Sequence, residues 1–84
     1  SHYLGGSDKT HHVLDLSKIR YLNSCGFSEL ILLNDSAERA GKTIYFVSLS
    51  KKVKSVLIPM GGDRILNLLQ NEEAALEEIE KALA

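Results

Sequence analysis

The sequence predicts an α/β fold in which a central, mostly parallel β-sheet has helices packed on it. Strand-like and helix-like stretches alternate along the chain, which is the order typical of βαβ units. The run over residues 43–49 is β-branched, aromatic and continuously apolar, as in a central strand of a parallel sheet. The helix-like stretches carry apolar residues every three or four positions, so each has one face for the core.

Length and composition indicate one small domain. The chain has 84 residues, of which 44% are hydrophobic and 25% charged, and these fractions are ordinary for a globular protein. We expect residues 1–11 to be a linker that begins with the tag-like remnant Ser-His and holds a short extended piece at residues 3–4. Residues 12–84 are predicted to form the single domain.

The first strand of this domain is predicted over residues 12–16, where the run HVLDL is short and apolar. Asp15 interrupts the run, and we expect its carboxylate to lie at the carboxyl edge of the sheet, where solvent or backbone donors satisfy it. The polar connection that follows carries Ile19 and Leu22, which we expect to point inward.

A helix is predicted to begin between Ser24 and Gly26 and to end before Gly41, the expected C-cap glycine. Glu29 near its start and Arg39 near its end suit the helix macrodipole. The stripe expected to face the core comprises Phe27, Leu30, Ile31, Leu33, Asn34, Ala37 and Ala40.

The rest of the chain continues the alternation. After the strand at residues 43–49, Ser50 is expected to cap a helix that Pro59 ends, and residues 61–63 to form a turn. Residues 65–69 are interpreted as a last strand rather than one helical turn. A terminal helix opens at about residue 71, with its glutamates in water and an apolar stripe of Ala75, Leu76, Ile79 and Leu83.

Composition narrows the classes of function. Ten basic residues against eleven acidic ones give no electrostatic case for nucleic acid or a membrane surface, and no apolar run is long enough to insert into a bilayer. One cysteine cannot form an internal disulfide, so we expect a cytoplasmic protein. His11 and His12 would point to opposite faces of a strand, so no metal or cofactor is predicted. The lysines at 51, 52 and 54 are interpreted as a solvated helix face.

The turn Asn23-Ser24-Cys25-Gly26 is the sharpest candidate site. As a helix N-terminus, its N–H groups and the macrodipole favour a phosphate or a docked partner. The plainer alternative is a capping turn, with Asn23 or Ser24 as N-cap and Gly26 allowing close packing. Cys25 is either a reactive thiol at a helix start or a small, semi-buried residue. No set of acid, base and nucleophile emerges, so no catalytic residue is predicted.

Several short motifs stand in a specific order along the chain. They are DLS at the end of the first strand, NSCG at the helix start, AGK at the helix end, MG after the second helix and EEAAL in the terminal helix. Over residues 12–83 this order resembles the STAS domain of sulfate transporters and anti-sigma factor antagonists, whose turn reads Asp-Ser-Ser-Gly. The resemblance implies a STAS-like layer fold and a non-enzymatic protein-binding module of signalling and transcription regulation.

The resemblance also implies that the turn is a switch. In that family a partner kinase, itself an anti-sigma factor, phosphorylates the serine at the position of Cys25, and the added charge of about −1.5 to −2 ejects the partner. Here Asn23 stands for the Asp and Cys25 for the acceptor serine. Because cysteine is not an ordinary kinase acceptor, we predict no phosphorylation switch at Cys25. Ser24 is the surrogate acceptor, although its side chain should point in a different direction from that of residue 25.

The leading hypothesis is that an anti-sigma factor or serine-kinase-like protein docks on the helix start. The partner-binding residues predicted for this surface are Asn23, Ser24, Cys25, Gly26, Phe27, Ser28 and Glu29. The alternative is a cytoplasmic regulatory domain of a sulfate or other anion transporter, since such domains often lack the phosphorylatable serine. A third hypothesis is that the protein is a redox sensor or thiol enzyme that uses Cys25.

The family's domain normally opens with two more strands and a helix before the strand at residues 12–16. Residues 1–11 are too few to form them, so these N-terminal strands are expected either to lie in residues outside the numbered chain or to be missing from a truncated variant. In a truncated variant the exposed sheet edge would invite pairing with another chain, so a homodimer is a further expectation.

Overall fold

Four strands form one sheet in the order β1-β2-β3-β4. The structure is a computed structural model, and it describes residues 2–4 and 10–83. The strands are β1 (His2–Leu4), β2 (His11–Asp15), β3 (Thr43–Val47) and β4 (Asn67–Leu69). β2, β3 and β4 are parallel to one another, and β1 pairs with β2 in the antiparallel direction. The predicted α/β fold with a mostly parallel sheet is confirmed.

The helices cover both faces of this sheet. They are α1 (Ser24–Arg39), α2 (Lys51–Leu57), α3 (Gly62–Ile65) and α4 (Glu72–Leu83). One core cluster joins α1 and α2 to the sheet through Leu16, Leu22, Phe27, Ile44, Phe46, Val53, Leu57 and Leu66. The other lies under α4 and consists of Val13, Val47, Ala75 and Ile79. The sheet is therefore the middle layer of three.

β3 is central, as its apolar run predicts. Phe46 and Val47 are fully buried, and Tyr45 packs against the cluster under α4, where burial raises the pKa of its hydroxyl. The strand ends at Val47 rather than at residue 49, because Ser48 has a φ of 60°. The N–H of Ser48 then donates to the carbonyl of Gln70 over 3.1 Å, which joins the exits of β3 and β4.

The predicted helix boundaries are confirmed where capping residues define them. Ser50 Oγ accepts a hydrogen bond from the N–H of Val53, so α2 begins at Lys51, and α2 ends at Leu57, ahead of Pro59. Gly41 follows α1 with a φ of 75°, a conformation in which glycine avoids the strain of a Cβ.

Five sequence predictions need correction. Residues 2–4 are not a linker but a strand, which includes the suggested extended piece, so one N-terminal strand is present. β2 begins at His11, one residue earlier than predicted. The turn predicted at residues 61–63 begins α3 instead, and the last strand shortens to Asn67–Leu69. The apolar stripes predicted to face the core were too wide, because three of their members are exposed: Leu33, Ala40 and Leu83.

Candidate functional site

The predicted turn lies at the carboxyl edge of the parallel strands. Asp15 at the end of β2 is level with Val47 at the end of β3, and the N–H of Leu16 donates to the carbonyl of Val47 over 2.9 Å. The chain then runs without regular structure to Asn23 and enters α1. Open α/β sheets place their sites at this edge, since loops and helix N-termini meet there.

Asn23 is the N-cap of α1. Its side-chain Oδ1 accepts a hydrogen bond from the N–H of Gly26 over 2.8 Å, and its carbonyl accepts one from the N–H of Phe27 over 3.0 Å. The capping interpretation of the turn is therefore correct, with Asn23 rather than Ser24 as the cap. The first N–H groups of any α-helix have no intrahelical acceptor, so the capped end still presents donors beside Ser24 and Cys25.

Packing beneath the turn fixes its position. Phe27 is 5% exposed and belongs to the core cluster under α1. A Cβ at Gly26 would lie 2.8 Å from Leu22 Cδ1, and a Cβ at Gly62 would lie 3.2 Å from Phe27 Cε1. The glycines thus allow the close approach that the sequence suggested for Gly26. Phe27 supports the predicted surface from below and is not part of its exposed area.

The other members of the predicted surface are open to solvent. Asn23, Ser24, Cys25, Ser28 and Glu29 are exposed, and Gly26 is half-buried. The semi-buried interpretation of Cys25 is therefore wrong. The hydroxyl of Ser28 donates to the carbonyl of Ser24 over 3.0 Å, within the first helical turns. Glu29 lies beyond the first turn of α1, which holds no acidic residue, so the macrodipole gives it little stabilisation.

The side chain of Asp15 forms a hydrogen bond with the backbone just after β2. The N–H of Ser17 donates to Asp15 Oδ1 over 2.7 Å, so a backbone donor satisfies the carboxylate at the sheet edge, as predicted. This hydrogen bond lowers the pKa of Asp15 below its ordinary value, and the Ser17 hydroxyl and the nearby Lys18 act in the same direction. The contact ties down the start of the connection that leads to Asn23.

Sequence reasoning missed one feature beside the turn. Tyr21 is 76% exposed, although it lies next to the buried Leu22. Ile19 and Leu22 both pack at the core cluster under α1, and their spacing of three follows no strand alternation, so no periodic signal in the sequence marked Tyr21 as exposed. Lys18 and Arg20 of the same connection are exposed as well.

An apolar groove lies away from the turn, beside the C-terminal half of α1. It has a volume of about 390 Å³ and is lined by His12, Leu14, Leu33, Ser36, Ala37, Ala40, Lys42 and Ile44. Two residues wrongly expected in the core, Leu33 and Ala40, form part of its wall. The groove and the predicted surface share no residue.

The described part of the chain has neither a metal-binding cluster nor a membrane-spanning helix. Among residues 2–4 and 10–83, His, Cys, Asp and Glu side chains form no group of three or more that could hold a metal ion. None of the helices described is both long and apolar enough to cross a membrane.

Comparison with known proteins gives a structural relative. No protein-family model and no curated protein matches the chain. The NMR structure of the protein TM1081 matches 87% of this chain with a TM-score of 0.75 and 25% sequence identity. A crystal structure of tm1081 from Thermotoga maritima, named a "putative anti-sigma factor antagonist", matches 81% with a TM-score of 0.75 and 26% identity. The chain spans 58% of the length of this relative.

Proposed function

The chain has the STAS-like fold of an anti-sigma factor antagonist, and from this we propose that it is a non-enzymatic module that docks a partner protein on residues 23–29. The observation that carries the proposal is the exposed row of Ser24, Cys25 and Ser28 on a turn that Asn23 caps and Phe27 anchors. A small, rigid, outward-facing helix start needs little reorganisation to bind, which lowers the entropic cost of docking.

The proposed partner is an anti-sigma factor of the serine-kinase type, and the proposed setting is transcription regulation in the cytoplasm. The name of the structural relative from Thermotoga maritima supports this class of partner. The exposed face of α1 adds a second support, because Leu32 lies two turns after Cys25 on the same side of the helix and is also exposed. Leu32 adds apolar area beside the polar row of Ser24, Cys25 and Ser28, and protein interfaces combine an apolar centre with a polar rim.

Cys25 gives the proposed interaction its distinguishing feature. Its thiol occupies the position that the family resemblance assigns to the acceptor serine, and it is exposed. A partner kinase could then dock on the turn without transferring a phosphate to it. Binding would be controlled by the amounts of the two proteins rather than by phosphorylation at this position.

The same substitution favours one alternative, the cytoplasmic regulatory domain of a sulfate or other anion transporter. Such a domain needs the fold but not the acceptor. The gene distinguishes the two, because a transporter would encode a long series of apolar helices upstream of this domain.

The docking proposal is tested by calorimetric titration of the chain with the serine-kinase anti-sigma factors of its own organism. Cys25→Asp places a negative charge where the family carries phosphate, and we expect it to weaken binding about tenfold or more, because a charge must be desolvated in a closed interface. Ser36→Asp is the matched control, an exposed serine three turns along α1. Equal affinity of Cys25→Asp and the unchanged chain would refute the proposal.

A second experiment tests the role of Cys25 separately. The same kinase is incubated with ATP and either the unchanged chain or Cys25→Ser. We expect phosphate to be incorporated into the serine variant and not into the unchanged chain. Phosphate on Ser24 or Ser28 of the unchanged chain would show that the switch has moved rather than been lost.

A further inference from the structure

Basic side chains lie on the connection before α1 and on α2, the two segments that leave the same edge of the sheet, and we call this group the cationic rim. Its members are Lys18, Arg20, Lys51, Lys52 and Lys54. All five are exposed, and within the described residues none of them forms an ion pair. Arg39 pairs with Asp35 and Lys81 with Glu78, both elsewhere on the surface. The rim is therefore a set of exposed charges without an ion-pair contact, of which Lys18 is near enough to Asp15 to lower the pKa of that carboxyl.

The rim has two parts, Lys18 and Arg20 before α1 and the three lysines of α2, and the fold brings them to one edge of the sheet. Asp15 and Val47 are level at the ends of β2 and β3, so the connection carrying Lys18 and Arg20 leaves the sheet beside the start of α2. Neighbouring strands lie about 4.8 Å apart. α1 and α2 also share one core cluster, through Phe27 and Val53 among others. The helix start at Asn23 and the lysines of α2 therefore lie on the same face and at the same edge.

The chain is nearly neutral as a whole, but its charges are unevenly distributed between the two faces of the sheet. The acidic residues near the rim include Asp15, whose carboxylate accepts the N–H of Ser17, Glu29 on α1, and Asp63, which lines a cleft together with Lys54. α2 itself has three lysines and no acidic residue. On the other face of the sheet, α4 reads EEAALEEIEKAL, with five glutamates and one lysine. The chain is thus basic around the turn and acidic on the opposite side.

Exposed apolar side chains accompany the rim. Tyr21 lies directly after Arg20, and the exposed Ile58 lines a cleft together with Lys54. Tyrosine and arginine are the residue types that most often anchor protein interfaces. Basic charge around exposed apolar groups is complementary to a segment that combines carboxylates with apolar residues.

We propose that the cationic rim docks an acidic, partly apolar segment of a protein partner. This inference rests on the proposed function and names the chemistry of the partner's contact. Nucleic acid fits less well, because the rim has Tyr21 as an exposed ring but no row of aromatic residues, and the acidic α4 face would repel a long polyanion.

The probe for this proposal is a fluorescein-labelled peptide of glutamates interspersed with leucines, titrated at low ionic strength and followed by fluorescence anisotropy. We expect saturable binding that weakens as salt is added. The variant Lys18→Glu/Lys51→Glu/Lys52→Glu should weaken it about tenfold or more, since each exposed charge pair contributes a few-fold. Lys42→Glu/Lys81→Glu, which changes two exposed lysines outside the rim, should stay within about twofold. Circular dichroism confirms that each variant is folded.

Three results would overturn the proposal: no binding of the peptide, equal loss in rim and control variants, or tighter binding of a single-stranded oligonucleotide or phosphatidylserine vesicles to the rim. These outcomes do not depend on the kinase titration. Suppose that Cys25→Asp leaves the affinity for the kinase unchanged, while Lys18→Glu/Lys51→Glu/Lys52→Glu still weakens binding of the peptide. The proposed function then fails, and the cationic rim remains a binding site for acidic segments.

Discussion

The side-chain oxygen of Asn23 accepts a hydrogen bond of 2.8 Å from the N–H of Gly26. This contact makes Asn23 the N-cap of α1, in the position where the STAS resemblance has an aspartate. Asparagine offers the same acceptor without the charge. The chain therefore forms this cap with a neutral side chain, two residues before the position to which the resemblance assigns the acceptor serine.

The cap should contribute measurably to stability. We expect Asn23→Ala to lower the free energy of unfolding by about 1 kcal/mol, because one helix N–H loses its acceptor. Asn23→Asp should equal or exceed the unchanged chain by about 0.3–1 kcal/mol, since a carboxylate caps equally well and favours the positive helix end. Urea unfolding followed by circular dichroism measures both. An alanine variant as stable as the unchanged chain would contradict the capping role.

The contact between α3 and Phe27 gives a second prediction. A Cβ at Gly62 would lie 2.9 Å from the backbone oxygen of Leu57, whereas at Gly26 it would meet only the end of the Leu22 side chain. Gly62→Ala should therefore cost about 1–3 kcal/mol. Gly26→Ala should stay within about 1 kcal/mol, because Leu22 can shift and alanine favours the helix. The reverse order in thermal or urea unfolding would be inconsistent with this packing.

Asn34 is a buried amide that is only half satisfied. Its Nδ2 donates to the carbonyl of Ile65 over 3.4 Å, a long hydrogen bond, and among the described residues its buried Oδ1 has no partner. We expect Asn34→Leu to leave stability unchanged or to raise it by up to about 1.5 kcal/mol, because an unsatisfied polar atom is removed. Asn34→Ala should lower stability, since it leaves a cavity. A leucine variant less stable than the alanine variant would contradict this account.

Asp15 predicts a pH dependence. The hydrogen bond from Ser17 holds the pKa of Asp15 below its ordinary value of 3.8. The ionised carboxylate therefore stabilises the folded state above about pH 4, and this contribution is lost as the pH falls through the lower, folded-state pKa. In a pH series of urea midpoints, Asp15→Asn should show a smaller fall between pH 4 and the acid end than the unchanged chain. Identical acid profiles would count against this hydrogen bond.

The sequence predicted those elements that local chemistry determines. The apolar run around Phe46 identified the central strand, Ser50 and Pro59 bounded α2, and Gly41 marked the end of α1. Each of these signals is contained in a few consecutive residues. The order of the elements predicted the α/β class, and the resemblance to the STAS family implied the STAS-like fold.

Features that depend on tertiary contacts were not predictable from the sequence. β1 has three residues and forms only by pairing with β2. α3 begins at Gly62, a residue type that disfavours helices, and is held by packing against Leu57 and Phe27. The cationic rim depends on the register of β2 with β3, so a nearly neutral composition could not reveal it. Within the candidate site, the sequence predicted the helix cap and the outward-facing residues of the turn. It did not predict the basic charge of the cationic rim.

The central claim is that a partner docks on the helix start at Asn23, and a binding footprint tests it most directly. The ¹⁵N-labelled chain is titrated with the kinase-type anti-sigma factor of its organism, and amide shifts are mapped by NMR. The account predicts the largest changes at Ser24, Cys25 and Ser28, with Lys51 and Lys52 also affected. Changes confined to the groove around Leu33 and Ala40, with the turn unmoved, would contradict it.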